Sequence, residues 1–128
     1  MRIANVTLVV PDYDEAIEFY CDRLGFQLLE DTDLGDGKRW VRLAPQMGET
    51  ALLIAKADGR TQHAAIGNQT GGRVGFFLET DDFARDRRAF LQAGVVFTEE
   101  PRSESYGQVA VFRDPFGNLW DLIEPSSA

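Results

Sequence analysis

The stretches "IANVTLVVPDYDEAIEFYCDRLG", residues 3–25, and "RVGFFLETDDFARDRRAFLQAG", residues 73–94, carry one pattern twice. In the first, Val6, Leu8 and Val10 alternate with Asn5, Thr7 and Val9, which is the two-residue period of a β-strand. Asp12 and Glu15 then stand three apart, the spacing of a helix capping box. Tyr13, Ala16, Ile17, Tyr20 and Leu24 follow at helical intervals, and Gly25 supplies a left-handed stop. In the second, 73–80 reads as a strand, Asp81 or Asp82 caps a helix, and Gly94 ends it. Asp12 falls on Asp82 and Gly25 on Gly94 with one residue of slippage.

Three short apolar-rich runs follow each helix. After the first they are "FQLLEDT", "KRWVRLA" and "TALLIAKA", separated by Asp36-Gly37 and by residues 45–48, both turn signals. After the second they are "VVFTEE", "QVAVFRD" and "NLWDLIE". The chain therefore reads as one α+β domain of two tandem βαβββ modules, about 1–55 and 73–125. Between them "KADGRTQHAAIGNQTGG", 56–72, has four glycines and little periodicity, the mark of a linker or of a flap over a site.

At 128 residues there is room for no second large domain, and 44% hydrophobic with 27% charged residues is ordinary globular composition. Thirteen Lys and Arg against 21 Asp and Glu give a net charge of -8, a field that repels nucleic acid and anionic lipid and favours cations. Neither nucleic acid nor membrane is an expected partner. The lone Cys21 has no cysteine to pair with and sits within the first helical pattern. The opening residues are interrupted too early by Pro11 and Asp12 for a signal peptide, so a cytoplasmic location is expected. Phosphate-binding loops, nucleophile elbows and cysteine pairs are missing, which argues against nucleotide-dependent and hydrolytic chemistry.

The opening "VVPDYDEAIEFY", the "LGF" after the first helix, and the ending Asp114-Pro115, Gly117-Asn118 and "LWDLIEP" resemble the vicinal oxygen chelate superfamily. That group includes glyoxalase I, extradiol dioxygenases, fosfomycin resistance enzymes and bleomycin-binding proteins. The resemblance implies that the tandem modules form a cup-shaped mixed sheet with helices outside, and that the protein is a homodimer. It also implies metal ligands entering the cup from the first and last strands of each module. The first of these positions falls on Asn5. The second falls near Gly75, with Arg73 two residues earlier on the same strand face. The third lies within "ALLIA", 51–55, which has no polar side chain, and the fourth is Asp121.

Transition metals take three or four His, Cys, Asp or Glu ligands, and here Asp121 is the one good match, with Asn5 a weak one. No metal or other cofactor is expected; a divalent metal at a degenerate site is the alternative. The only imidazole, His63, lies in the connector. Alternation puts Asn5, Thr7, Phe77, Glu79 and Asp121 on the inner faces, and Trp40, Arg42, Phe112 and Trp120 are wall candidates according to strand register. Tyr106 belongs to a rim loop. Aromatics beside a few polar groups suit a small-molecule pocket, although aromatics at strand spacing also build ordinary cores. The expected function is binding of an organic molecule, cationic ligands being favoured by the charge. The alternative is an enzyme, either a glyoxalase I-like lyase or isomerase or a dioxygenase. Asp121 and Glu79 would then be its catalytic candidates, with a raised pKa suiting either to general-base work.

Overall fold

In the computed structural model, which describes residues 1–46 and 48–127, both patterns become a strand, a helix and a return to the same sheet. β1 (Asn5–Val10) leads into α1 (Tyr13–Ile17), where the Asp12 carboxylate accepts from the Glu15 amide at 2.9 Å and satisfies a donor left over at the helix start. α1 then widens into a π-helical turn, Glu18–Arg23, whose closing bond runs from the Leu24 amide to the Phe19 carbonyl at 3.1 Å. The wider turn holds both Phe19 and Tyr20 inward, edge to face with ring centroids 5.1 Å apart. Cys21 lies half-buried on this turn.

β2 (Gln27–Gly35), β3 (Lys38–Ala44) and β4 (Ala51–Lys56) complete the first sheet. Asp36 and Gly37 join β2 to β3 with φ of 55° and 79°, the doubly left-handed two-residue turn whose twist matches the flanking strands. The strand order is β1-β4-β3-β2, with β1 parallel to β4 and the other pairs antiparallel. Leu8, Val10, Val41, Leu43 and Ile54 are fully buried on the face that α1 covers, and each such side chain contributes about 1.5–3 kcal/mol through burial. A short helix, α2 (Gly59–Ala65), lies within the connector stretch. It buries none of its residues, so the sequence carries no apolar stripe from which to read it.

The second sheet is built from β5 (Val74–Glu79), β6 (Val96–Phe97), β7 (Arg102–Glu104), β8 (Gly107–Arg113) and β9 (Leu119–Pro125), with α3 (Phe83–Gln92) packed on β9. Asp82, of the two candidates, caps α3 by accepting from the Arg85 amide at 3.0 Å, and Glu124 reaches over from β9 to accept from the Phe83 amide at 2.8 Å. The order β5-β9-β8-β6, with β5 parallel to β9, repeats the permutation of the first sheet. β7 has no forerunner in the sequence reading. Pro101, which lacks a ladder donor, separates it from β6, so two short strands stand where β2 stands in the first half. Beneath α3, Phe76 stacks on Trp120 at 4.4 Å, Trp120 on Phe112 at 5.8 Å, and Phe90 meets Phe112 edge-on at 5.5 Å.

The chain divides into two compact units, Met1–Ile66 and Gly67–Ala128. Among the described residues no helix is long and apolar enough to cross a membrane.

Candidate functional site

On the uncovered face of the first sheet, register aligns Thr7, Leu53, Arg42 and Glu30 in one row across β1, β4, β3 and β2. The Arg42 guanidinium joins this row to its neighbour. It donates to Asn5 Oδ1 at 2.9 Å and to Glu30 Oε1 at 2.6 Å, and Trp40 lies two residues away on the same strand face, partly exposed. Four of the expected residues, Asn5, Thr7, Trp40 and Arg42, thus share a face. The pair with Glu30 is solvent-accessible and contributes at most about 1 kcal/mol. Its chemical consequence is larger, because the amide oxygen of Asn5 is engaged by a cation.

The second sheet has two such rows. Phe77, Asp121 and Val111 align across β5, β9 and β8, and Glu79, Ile123, Val109 and Arg102 align in the next row, which extends to β7. Phe77 is 68% exposed, an unusual state for an aromatic ring, and it stands beside the Asp121 carboxyl. Asp121 Oδ1 is buried and has no hydrogen-bond partner among the described residues. Burial pushes the Asp121 pKa up, Glu99 adds to the rise, and Arg102 opposes it. Arg102 is itself held by Glu99 at 2.5 Å and Glu104 at 2.8 Å, so its attraction for Asp121 is shared with two other acids. Tyr106, 52% exposed, projects from the turn between β7 and β8.

Several expected positions come out differently. Phe112 and Trp120 are not walls of an open face: each is one residue out of phase with Asp121 across the register, and both are buried under α3, 0% and 3% exposed. Gly75 does not share the simple alternation of Phe77 and Glu79, because a β-bulge at 74–76 sets Val74 against Leu119 and Phe76 against Trp120. A Cβ at Gly75 would meet Thr70 Cγ2 at 3.0 Å, so the loop already fills the space beside it. Arg73 lies just before the strand. His63 sits on α2, exposed, with Nδ1 2.8 Å from the Gly59 carbonyl oxygen. Glu30, Glu99 and Arg102 were missed. β7 is too short to show a period, and in β2 a register shift at Leu28/Glu30 breaks the alternation that would have placed Glu30.

The Asp121 shift has a sign that can be worked through. A carboxyl whose folded-state pKa lies above the ordinary 3.8 binds its proton more tightly in the folded than in the unfolded chain. Its contribution is therefore present below 3.8 and is lost as pH rises through the folded-state value. Asp121→Asn removes the penalty. At neutral pH the variant is expected to be stabler by on the order of 1 kcal/mol after solvent screening, a rise in Tm of about 3 °C. The gain should shrink as the pH is lowered towards 3.8. Thermal melts across that range measure it, and a gain independent of pH would assign the effect to packing instead.

A family model described as the glyoxalase/bleomycin resistance protein/dioxygenase superfamily matches residues 2–122. The chain belongs to that superfamily. It is 49% identical over 124 residues to an uncharacterized protein of Shewanella frigidimarina, covering 95% of this chain and 92% of the relative. Among solved structures it is similar to UcmS2, at 30% identity and TM-score 0.81, covering 96% of this chain and 97% of the other. It is likewise similar to TnmS3, an antibiotic binding protein from Streptomyces sp. CB03234, at 30% identity and TM-score 0.79, covering 98% and 97%. The two solved structures share the fold of this chain.

The four positions from which the superfamily resemblance draws metal ligands hold an amide engaged by Arg42, an apolar segment of β4, a glycine in a bulge, and Asp121. Among the described residues no three His, Cys, Asp or Glu side chains converge as a metal site would require. The usual donor set does not fit these residues.

Proposed function

We propose that this superfamily member is a small-molecule-binding protein that holds an organic ligand against the face of its second sheet that carries Phe77 and Asp121, without help from a metal. The observation that carries the reading is the buried, unpartnered Asp121 Oδ1 beside the exposed Phe77 ring. A buried acceptor without a donor is costly in the free protein, and a ligand that supplies an N–H or O–H removes that cost on binding. Phe77 offers the same ligand a ring to stack on. A donor-bearing aromatic cation satisfies both groups and suits a chain of net charge -8. Similarity to an antibiotic binding protein supports an organic ligand of that size.

Calorimetry with a panel of cationic aromatic compounds, metal-free bleomycin among them, tests the reading. At least one should bind with a Kd near the micromolar range, unchanged by EDTA, and lose about tenfold or more in both Asp121→Ala and Phe77→Ala. If none binds, or if binding needs added metal, the proposal fails. The raised pKa of Asp121 favours one rival reading, a lyase, isomerase or dioxygenase in which this carboxyl serves as base or as ligand to a divalent metal. The metal form of that rival expects stoichiometric metal in the purified protein and none in Asp121→Ala, and elemental analysis decides that form. A cytoplasmic homodimer is part of our proposal, and sedimentation equilibrium checks the dimer.

A further inference from the structure

Away from the Asp121 row, the loop between α2 and β5 folds against the turn before β9 and closes a small cavity of about 40 Å³. Space of that size takes a group of a few heavy atoms, such as a carboxylate. Glycines 67, 72, 75 and 117 line it, so backbone comes to its surface, and Gln69 and Asn118 bring amide side chains. Arg73 is the one charged residue along its wall. Arg23, Arg39, Arg42, Arg85, Arg87 and Arg102 all pair with carboxylates. The Arg73 guanidinium has no hydrogen bond or ion pair among the described residues. Arg2, Arg60, Arg88 and Arg113 likewise form no ion pair among the described residues, but of the unpaired arginines Arg73 alone lines this cavity.

We propose that this cavity is a carboxylate-binding site, with the Arg73 guanidinium as its anchor. A guanidinium matches a carboxylate with two parallel N–H donors, and a planar group of that size fits the space. The overall negative charge is not a bar, because acids beyond about 8 Å are screened at physiological salt. Asp114, at the start of the turn that carries Asn118, is turned to its own donors: both of its oxygens accept from Asn118, and one also from the Phe116 amide. The site is independent of the proposed ligand face, since neither Asp121 nor Phe77 lines it.

Acetate is the probe, titrated into the full chain while amide resonances are followed by NMR, with inorganic phosphate as a second arm. The Gly72, Arg73, Gly117 and Asn118 amides should shift together and saturate with a Kd of about 1–10 mM. Arg73→Ala should abolish saturation, and Arg73→Lys should weaken acetate severalfold by losing the two-donor geometry. Asp121→Ala should leave acetate binding intact, which separates this site from the ligand face. Because the Arg73 guanidinium has no hydrogen bond or ion pair to lose among the described residues, an unchanged spectrum elsewhere in Arg73→Ala shows that the variant is folded. Non-saturating shifts, or the same saturation in Arg73→Ala, would overturn the proposal. Phosphate binding more tightly than acetate would overturn the carboxylate assignment.

Discussion

Asp114→Ala is expected to destabilise the protein by about 3 kcal/mol and lower its Tm by roughly 10 °C. The side chain is 2% exposed and organises the turn that starts β9. Its Oδ1 accepts from the Phe116 and Asn118 amides at 3.0 and 2.9 Å, and its Oδ2 accepts from Asn118 Nδ2 at 2.8 Å and from Trp120 Nε1 at 3.4 Å. Alanine leaves three close donors and the more distant Trp120 Nε1 with no acceptor in a place water reaches poorly, and each such loss costs about 1–3 kcal/mol, not additively. Relief from burying the carboxylate itself offsets part of the sum. Against a typical domain stability of about 5–15 kcal/mol this is a large fraction. Asp114→Asn keeps one acceptor oxygen and should recover about half of the loss. Urea unfolding of the three proteins measures it. A loss under about 1 kcal/mol would mean that the backbone bonds of the turn, from the Asp114 amide to the Asn118 carbonyl and from the Gly117 amide to the Asp114 carbonyl, suffice without the side chain.

The turn links the best-read part of the sequence to the least readable. "DPFGN" followed by an apolar strand announces itself, and so does the duplication, because capping boxes, helix stops and hairpin glycines are local signals that need no tertiary context. The shared permutation of the two sheets follows from the repeat. What failed was phase. Sequence alternation assigns faces correctly only while no residue is inserted, and bulges at 74–76 in β5 and at 28–30 in β2 each insert one. Gly75 and Glu30 were misplaced or missed for that reason. Trp120 and Phe112 could go to either face until register put them one residue out of phase with Asp121.

Asp121 itself was legible, as a carboxylate alone among apolar neighbours. Its electrostatic setting was not, because Arg102 and Glu99 come from a three-residue strand and the segment before it, far from Asp121 in sequence. The same limit hid the cavity beside Arg73, whose walls come from 67–76 and 117–119, two segments that only folding brings together.

Those two segments meet most closely at Gly67, and Gly67→Ala should cost about 2–3 kcal/mol, a fall in Tm of roughly 8 °C. Gly67 has φ of +69°, where a side chain costs about 1 kcal/mol. An alanine Cβ there would sit 2.0 Å from the Phe116 carbonyl oxygen and 3.2 Å from Gly117 Cα, so backbone must move on one side or the other. Restricting the unfolded chain returns part of this, about 0.4–1 kcal/mol. Gly71 supplies the control. Its φ of +68° is nearly the same, yet a Cβ there meets nothing within 4 Å, so Gly71→Ala carries the backbone strain without the collision. The difference between the two variants therefore isolates the packing of this loop on the β9 turn. Equal losses at both positions would mean that the loop stands clear of the turn, as a free flap over a site would. A Gly67-specific loss, together with weaker acetate binding in Gly67→Ala than in Gly71→Ala, would show the loop to be a fixed wall of the Arg73 cavity, because moving it off Phe116 opens the space that Arg73 lines with Gly117 and Asn118.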